Sequence, residues 1–234
     1  MAKTQLSGES PKHVALIVDG NRRYASKHGW KPWKGHEIGF DKLQKLIKDS
    51  QSLGVKELTL YCFSVENFTR DEEEIEHLFK LFRNKIDSFI DDPDIREHEV
   101  RIRIIGRLEM FPEDMQRSMR GVMNKTKHYN KFRLNLCMAY GGRQEIVDAV
   151  KEIVQSGCSV EDVSEELLSK HMYLNSCPDL LIRPGGEKRL SNFLTWESIY
   201  SELIFVEKLW PEFTKQDLID CIDEFKIRQR RFGK

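Results

Sequence analysis

Short apolar runs alternate along the chain with longer stretches in which apolar residues recur every three or four positions. The short runs are rich in Val, Ile, Leu and Phe and end at turn-forming residues, so they predict buried strands. These strands are expected at residues 14–18, 57–63, 100–105, 133–139, 180–183 and 203–206. The periodic stretches predict helices at residues 36–53, 72–90, 113–129, 143–155, 163–168 and 215–230. Strand followed by helix, repeated, predicts an α/β fold with a central, mostly parallel sheet flanked by helices.

The chain shows no internal repeat, low-complexity tract or linker. Its 234 residues are enough for one domain with a proper core, so we expect a flexible segment at residues 1–12 and a single domain at residues 13–234. The acidic residues 91–94 between a predicted helix and strand indicate a loop. No apolar run approaches the ~20 residues of a membrane-spanning helix, and the polar start lacks the apolar core of a signal peptide. We therefore expect a cytoplasmic protein.

Charge and cysteine content exclude several classes of protein. Thirty-eight basic residues balance 38 acidic ones, so no global field draws the chain to nucleic acid or to an anionic membrane. Any basic site must be local. The cysteines are odd in number and form no Cys-x-x-Cys pair, which argues against a disulfide framework and a thiolate zinc site. We expect them to be reduced and mostly buried: Cys62, Cys137, Cys158, Cys177 and Cys221.

Nearly all the polar clusters begin where a predicted strand ends. They occupy residues 19–23, 64–70, 140–143 and 183–189 and contain several arginines and two glycine pairs. In open α/β sheets, ligands bind at the carboxyl ends of the strands. Together these turns predict a positively charged site for a polyanion. Taken singly, each turn is also explained by local capping, with an aspartate as a helix N-cap or neutral residues capping a turn.

At this level of detail the chain resembles the cis-prenyltransferases, the family of undecaprenyl and dehydrodolichyl pyrophosphate synthases, from His13 to Gly233. The segments that carry the resemblance are HVALIVDGNRRYA, the following Gly-His, LTLYCFSVENFTR with a glutamate four residues on, AYGGRQEI, DLLIRPGGEKRLSNFLTW, YSEL and RRFG. The resemblance implies a single-domain cis-prenyltransferase fold with a hydrophobic tunnel.

The resemblance also implies a Mg²⁺-dependent enzyme that joins isopentenyl diphosphate to an allylic diphosphate of the farnesyl or geranylgeranyl type. Pyrophosphate leaves, and the product is a Z-polyprenyl diphosphate of short or medium length. Asp19 and Glu202 match the family's two magnesium-linked carboxylates, and Asp19 is the principal catalytic residue. Without the resemblance, Glu202 would be interpreted as a surface carboxylate.

Asn67 matches the family position that assists proton removal. Because an amide is a poor base, we expect it to position the substrate, with released pyrophosphate as the proton acceptor. The resemblance also implies substrate binding by Gly20, Asn21, Arg22, Arg23, Tyr24, His36, Ser64, Val65, Glu66, Phe68, Arg70, Arg183, Arg189, Leu190 and Ser191. Among these, the allylic diphosphate is assigned to the residues after the first strand and isopentenyl diphosphate to Arg183, Arg189 and Ser191.

One predicted helix carries an apolar stripe that would ordinarily be core. In the family this helix walls the tunnel for the growing chain, and a tunnel wall is also a core face. The stripe consists of Ile75, Leu78, Phe79, Phe82, Ile86, Phe89 and Ile90. By the same resemblance, Cys62 and Phe132 lie near the tunnel and influence its depth, and the aromatic Phe132 favours a short or medium product.

Three positions depart from the family pattern. Pro32 replaces an arginine, with only two lysines nearby, and Arg107 replaces the aspartate of an Ile-Gly-Asp turn. Pro184 replaces a threonine or serine directly after Arg183, which removes a hydroxyl group and a backbone donor. Because two of these positions lie near the expected diphosphate sites, prenyl transfer to a different acceptor is an alternative hypothesis.

The basic C-terminal residues 231–233, taken by themselves, are typical of a frayed tail. In the family this segment completes the neighbouring site of a homodimer, so a homodimer is expected. No nucleic-acid partner is expected, and membrane association is expected to be at most peripheral, through the product.

Two competing hypotheses have less support from the sequence. One is a non-catalytic subunit of a two-component cis-prenyltransferase, but such subunits typically lack the Asp-Gly-Asn segment that this chain retains. The second is a nucleotide-binding α/β protein that uses its glycine pairs for a triphosphate. The phosphate-loop and dinucleotide-binding motifs of that class are absent from the sequence.

Overall fold

The computed structural model describes residues 9–228. Six strands form one parallel sheet in the order β3-β4-β2-β1-β5-β6. The strands are β1 (His13–Ile17), β2 (Glu57–Ser64), β3 (Val100–Ile105), β4 (Phe132–Tyr140), β5 (Leu180–Pro184) and β6 (Glu202–Val206). Every predicted strand is confirmed, with each end within one residue of its predicted position.

Eight helices are described between and around these strands. They are α1 (Asn21–Lys27), α2 (Pro32–Ser52), α3 (Glu72–Ser88), α4 (Pro93–Glu97), α5 (Glu113–Thr126), α6 (Gly142–Gln155), α7 (Glu165–His171) and α8 (Lys215–Ile227). The six predicted helices are confirmed, although α2 begins four residues before its predicted start, at Pro32. Proline is favoured at a first helical position because its missing N–H is not needed there.

Two short helices were not predicted. The acidic segment after α3 is not wholly a loop, because Pro93 begins α4 and Asp92 caps it by accepting a hydrogen bond from the Asp94 N–H at 2.9 Å. Helix α1 begins directly after Gly20, in the segment that the sequence presents as a polar turn.

The strand order places β1 between β2 and β5. Because all the strands run in parallel, the residues after these three strands emerge at one edge of the sheet. Leu16 pairs with Ile182 and Ile17 with Tyr61, so the ends of the three strands are level. The sheet therefore gathers the polar turns that follow residues 17, 64 and 184.

The sheet carries a core on each face. The larger core contains the apolar face of α3, where Leu78, Phe82, Ile86 and Phe89 are buried and Phe79 and Ile90 are partly buried. The smaller core contains Ile17, Tyr61 and Tyr140. Successive strand residues point to opposite faces, which places Leu16 in the larger core and Ile17 in the smaller one.

All five cysteines are free thiols, but the prediction that most are buried is wrong. Only Cys137 and Cys221 are buried. Cys158 and Cys177 lie in loops, where they remain partly or largely exposed. Within residues 9–228, no helix is long and apolar enough to span a membrane.

The smaller core also contains two carboxyl groups, Glu145 on α6 and Glu197 in the loop before β6, which are 0% and 2% exposed. The Tyr140 hydroxyl and the Leu174 N–H donate to Glu145, the latter at 3.0 Å. Both oxygens of Glu197 are buried without a hydrogen-bond partner among the described residues. Burial, and then the neighbouring Glu145, raise the pKa of Glu197 to about 8.

We expect Glu197→Gln to flatten the pH dependence of stability. A carboxyl group whose pKa rises from 4.5 to about 8 on folding stabilises the protein below pH 4.5 and loses that contribution as the pH rises toward 8. Between pH 5 and 8 the wild type should lose on the order of 3 kcal/mol more stability than the variant. Denaturant melts across this range measure the difference, with exposed Glu161→Gln as the control. Parallel curves for the wild type and Glu197→Gln would refute the assignment.

Candidate active site

The centre of the site is the Asp19 carboxylate, just beyond the end of β1. Arg183, 5% exposed at the end of β5, lies 2.9 Å from Asp19 Oδ2 through its Nη2. Arg23 Nη2 on α1 lies 3.1 Å from Asp19 Oδ1. Arg183 also donates to Ser191 Oγ at 2.9 Å and to the Arg189 carbonyl. Charge-assisted bonds therefore join β1, α1 and the loop after β5 around one carboxylate.

Two glycines make this close arrangement possible. Gly20 has a left-handed φ of 105°, and a Cβ there would lie 2.9 Å from Leu209 Cβ. Gly185 has a φ of 107°, and a Cβ there would lie 2.7 Å from Arg23 Nη2. Because Gly185 has no side chain, Arg23 Nη1 can donate to its carbonyl at 2.6 Å. A larger residue at either position would open the turn.

A second charged cluster surrounds Glu74, which is 3% exposed on α3. Its carboxylate lies 3.1 Å from Arg70 Nη1, 3.6 Å from Arg22 Nε and 3.9 Å from His36 Nε2. Burial, followed by Arg70 and Arg22, lowers the pKa of His36 to about 3. His36 is therefore a neutral hydrogen-bonding group near pH 7.

The turn after β2 is held by its own side chains. The Ser64 N–H donates to Asn67 Oδ1 at 3.0 Å, and the Ser64 side chain accepts from the Asn67 backbone N–H. This reciprocal cap gives Ser64 and Asn67 the local capping role that their residue types suggested. With its oxygen engaged by Ser64, Asn67 has only its NH₂ group free to meet a substrate.

Two adjoining cavities meet at Asp19. One has a volume of about 700 Å³ and reaches along α1 toward Pro32; the other, of about 470 Å³, extends over the turn after β2 toward Ser191. Both are lined by Val18, Asp19, Asn21, His36 and Arg70. A narrow apolar pocket of about 20 Å³ between α2 and the sheet is lined by Phe40, Leu43, Leu60 and Cys62. The site thus offers two polar chambers beside an apolar recess.

The charges around these cavities favour an anion. Arg183 and Arg23 pair with Asp19, and Arg70 and Arg22 pair with Glu74. With Glu66, which lines the second cavity, four guanidinium groups face three carboxylates. The excess of positive charge is local, since the chain as a whole is neutral. Arginine also presents paired donors that match phosphate oxygens.

The other residues expected at the site are placed around it. Tyr24 packs against His28 and Trp30, with ring centroids 4.4 and 6.2 Å away. Val65 begins the 3₁₀ turn after β2, and Phe68 within that turn packs against Phe63 at 5.0 Å. Glu66 accepts a hydrogen bond from Asn192, and Asn21 is buried. Leu190 packs against the smaller core, and the exposed side chain of Arg189 pairs with Glu187.

The structure does not bring Glu202 to Asp19 within one chain. Glu202 begins β6 and pairs in register with Leu180, which in turn pairs with Val14. Asp19 lies five residues beyond Val14, or about 16 Å farther along the strands at 3.3 Å per residue. Glu202 instead pairs with Arg228 at 3.1 Å. Within one chain, Glu202 and Asp19 therefore lie too far apart to bind the same metal ion.

Each departure from the family pattern has a structural role. Arg107 makes a two-pronged ion pair with Asp148 on α6, with nitrogen–oxygen distances of 2.8 and 2.9 Å. Pro184 ends β5 opposite Val206, and the following Gly185 N–H donates to the Val206 carbonyl at 2.9 Å. Pro32 begins α2 and lines the larger cavity. The two nearby lysines pair with acids on the surface: Lys31 with Glu73 and Lys34 with Glu37.

Two backbone N–H groups in the turn after β4 bond to the loop after β5. The Gly142 N–H donates to the Asn192 carbonyl at 2.7 Å, and the Arg143 N–H donates to Asn192 Oδ1 at 2.9 Å. They are engaged by the loop after β5.

Sequence reasoning missed the roles of Glu74, Tyr61 and Asn192. The four-residue spacing between Arg70 and Glu74 on a helix was a usable signal for an ion pair. Tyr61, whose hydroxyl donates to the Tyr140 and Ser191 carbonyls at 3.3 Å, has the pattern of an ordinary strand residue. Nothing in the sequence indicates the contacts of Asn192.

A family model described as "Putative undecaprenyl diphosphate synthase" matches residues 17–233. A Pyrococcus horikoshii protein named tritrans,polycis-undecaprenyl-diphosphate synthase (geranylgeranyl-diphosphate specific) is 45% identical over 97% of this chain and 89% of its own length. A Thermotoga maritima isoprenyl transferase is 45% identical over 95% of this chain and 97% of its own length.

Solved structures agree with these relatives. The lavandulyl diphosphate synthase of Lavandula x intermedia, solved with dimethylallyl diphosphate, superposes with a TM-score of 0.89 at 30% identity, over 99% of this chain and all of that one. A probable undecaprenyl diphosphate synthase from Campylobacter jejuni gives a TM-score of 0.82 at 33% identity, over 97% of this chain and all of that one. With its parallel sheet and its arginine-rich site around Asp19, this chain belongs to the undecaprenyl diphosphate synthase family and is a cis-prenyltransferase.

Proposed function

We propose that this enzyme condenses isopentenyl diphosphate with an allylic diphosphate to give a Z-polyprenyl diphosphate of short or medium length. The observation that carries the proposal is the position of Asp19, between Arg183 and Arg23 where two cavities meet. Two chambers accommodate two diphosphates, with the carboxylate between them. The name of the Pyrococcus horikoshii relative supports a geranylgeranyl-type starter over the farnesyl type.

In the proposed reaction, the allylic C–O bond breaks and its electron pair leaves with the diphosphate. The double-bond electrons of isopentenyl diphosphate form the new C–C bond, and a proton leaves the resulting cation. The arginines stabilise the charge that develops on the departing diphosphate. Asn67, whose oxygen is held by the Ser64 N–H, orients the substrate, and the released pyrophosphate accepts the proton.

We assign the allylic diphosphate to the chamber of about 700 Å³. Arg22, Arg23 and Arg70 line it, and neutral His36 adds a hydrogen bond without adding charge. Isopentenyl diphosphate is assigned to the second chamber, where Arg183 already holds Ser191 Oγ in place. Arg189 is exposed beside this chamber and pairs with Glu187, which a diphosphate would displace.

We propose Mg²⁺ as the metal of this site. Mg²⁺ typically takes one or two carboxylates together with substrate phosphate oxygens and waters, and Asp19, 27% exposed and facing both cavities, fits that demand. No cluster of three metal-ligating side chains occurs within the part of the chain that the structure describes, which agrees with a metal held partly by substrate. When bound, the ion supplies charge neutralisation at the departing diphosphate.

We propose a homodimer in which Glu202 acts on the partner's site. Glu202 pairs with Arg228, the last described residue, at 3.1 Å, and lies away from Asp19 of its own chain. Residues 231–233 lie outside the described residues. Apolar side chains are exposed nearby on the chain, with Ile199 75% and Tyr200 65% exposed, as expected of a surface that a second copy covers. Sedimentation velocity tests the dimer.

We propose that the product grows into the apolar recess beside Cys62. The recess has a volume of about 20 Å³, and the rings of Phe63, Phe79 and Phe82 pack beyond it. The product can therefore lengthen only if these side chains move. Each added isoprene unit is stabilised by apolar burial, at roughly 0.8 kcal/mol per methylene. We also propose that the enzyme is cytoplasmic and contacts a membrane only through this product.

We expect Cys62→Leu to shorten the product by one or more isoprene units while leaving the first condensation nearly unchanged. Cys62 lines both the recess and the second chamber, and its thiol bonds to the Leu60 carbonyl at 3.6 Å. A leucine there fills space that the chain would occupy. Mass spectrometry of the products measures the change, with Cys177→Leu, in an exposed loop, as the control. An unaltered product distribution would contradict the assigned path.

Prenyl transfer to a different acceptor is the second candidate. The lavandulyl diphosphate synthase that superposes on this chain was solved with dimethylallyl diphosphate, and Pro184 follows the arginine assigned to isopentenyl diphosphate. Incubation of the protein with Mg²⁺, isopentenyl diphosphate and allylic diphosphates of several lengths separates the candidates. A ladder of five-carbon additions supports elongation. Consumption of the starter without a ladder supports a different acceptor.

A further inference from the structure

Asn192 lies in the loop after β5, directly beyond Ser191. The two residues adopt left-handed φ values of 65° for Asn192 and 50° for Ser191. Asparagine is among the few residues other than glycine that tolerate this conformation. The loop therefore turns sharply at Asn192 and carries its side chain away from β5 toward the neighbouring turns.

The Asn192 side chain bonds to two other segments of the site. Its Oδ1 accepts from the Arg143 N–H at 2.9 Å, and its Nδ2 donates to Gln144 Oε1 at 3.0 Å. Nδ2 also donates to Glu66 Oε1 at 3.3 Å. The backbone carbonyl of Asn192 accepts from the Gly142 N–H at 2.7 Å. One residue thus caps the start of α6 and reaches the turn after β2.

The glycine pair at the start of α6 leaves room for Asn192 and for the loop that carries it. A Cβ at Gly141 would lie 2.6 Å from Asn192 Nδ2, and a Cβ at Gly142 would lie 2.3 Å from Thr195 Oγ1. Both neighbours belong to the loop after β5. The pair therefore serves the packing of one active-site loop against another.

Two of the segments that Asn192 joins, its own loop and the turn after β2, carry groups of the proposed site. Ser191, its neighbour, accepts from Arg183 at 2.9 Å, and Arg183 holds Asp19. Glu66 lies in the turn that also carries Asn67. The distance between Ser191, beside the proposed isopentenyl diphosphate site, and Asn67, which we expect to orient the substrate, therefore depends on the hydrogen bonds of Asn192.

We propose that Asn192 is a positioning residue that fixes the loop carrying Ser191 against the turn carrying Asn67, and thereby shapes the isopentenyl diphosphate site. This inference rests on the proposed function. Asn192 lines the second chamber, but its hydrogen bonds to Arg143, Gln144 and Glu66 engage both polar atoms of its side chain. We therefore expect it to act through its neighbours.

Asn192→Gly is the main test, because glycine keeps the left-handed backbone and removes only the side chain. We expect the KM for isopentenyl diphosphate to rise about tenfold, with a smaller fall in kcat. The KM for the allylic diphosphate should stay within twofold. Asn175→Gly, in an exposed loop, is the matched control and should change neither KM.

A swapped pair tests the bridge itself. Asn192→Asp keeps the acceptor for the Arg143 N–H but loses the donor and places a second carboxylate beside Glu66. Glu66→Gln supplies a donor in return. Multiplying the fold-losses in affinity of the two single variants gives the loss expected if they act independently. The double variant should bind isopentenyl diphosphate more tightly than this value. Additive effects would show that the two residues are not coupled and would overturn the bridge.

Calorimetric titration of isopentenyl diphosphate with Mg²⁺ and no allylic substrate gives a readout independent of turnover. Asn192→Gly should weaken this binding about tenfold while the melting temperature falls by less than about 3 °C. Unchanged binding, or an equal loss for both substrates together with a large fall in melting temperature, would overturn the proposal. If the wild type binds isopentenyl diphosphate but elongates no starter, the proposed function fails, and this titration still decides the role of Asn192.

Discussion

Asp19→Asn is expected to lower kcat by about 10³-fold while the protein remains folded. Asparagine matches aspartate in shape, so the turn at Gly20 and the backbone bond from the Trp210 N–H to the Asp19 carbonyl, at 2.8 Å, are retained. What is lost is the negative charge that faces Arg183 and Arg23 and that we assign to the metal. Single-turnover assays with saturating substrates measure the chemical step directly.

We expect the fall in kcat to result from the lost charge of the Asp19 carboxylate and not from a change in the shape of the site. Asp19→Asn should still bind pyrophosphate in the absence of Mg²⁺, because the arginines are freed from their carboxylate partner. Asp162→Asn, on an exposed 3₁₀ turn, serves as the control and should behave as the wild type. If Asp19→Asn kept kcat within tenfold of the wild type, Asp19 would not be the central catalytic group.

The sheet could be predicted closely because its signal is local. Each strand is a short apolar run that ends at a turn, and strands buried on both faces leave little freedom in where the run begins. Strand β3, at Val100–Ile105, coincides with its prediction at both ends. Helix α1 has seven residues and a mostly polar sequence, so no periodic pattern marks it, and its place depends on Gly20 and on packing against α2.

The part of the site that lies at the carboxyl ends of the strands could be predicted from the sequence. Asp19 lies just beyond β1 and Arg183 near the end of the adjacent parallel strand β5, so their meeting follows from the strand order. Glu202 was assigned by resemblance alone, and the register of β6 places it at the other end of the sheet. The predicted strand at residues 203–206 agrees with this placement, because ligands bind at the carboxyl ends of parallel strands and Glu202 precedes the strand.

Long-range side-chain bonds were beyond the reach of the sequence. The Arg107–Asp148 pair spans 41 positions, and Asn192 reaches Glu66 across 126. Both bonds join segments that are distant in the sequence and meet only in the folded chain. Arg107 shows the consequence, because the same residue that departs from the family pattern is an anchor for α6 once the fold is known.

Arg183→Lys is expected to lower kcat/KM for isopentenyl diphosphate by about 100-fold, a larger effect than removing one ordinary hydrogen bond. The guanidinium group, 5% exposed, reaches Asp19, Ser191 and the Arg189 carbonyl at once through two nitrogens. A lysine ammonium is a single point of charge and cannot reproduce this fork, and burial favours its neutral form. Steady-state kinetics with each substrate varied in turn measures the loss.

The pattern of the loss separates substrate binding from general disruption. Since Arg183 lies on the side of Asp19 that faces Ser191, the KM for the allylic diphosphate should change by less than about threefold, while the KM for isopentenyl diphosphate rises and kcat falls. Arg117→Lys, exposed on α5, controls for the substitution and should leave both values unchanged. Equal increases in both KM values would show that Arg183 supports the whole site. A change below threefold in kcat/KM for isopentenyl diphosphate would show that Arg183 does not bind this substrate.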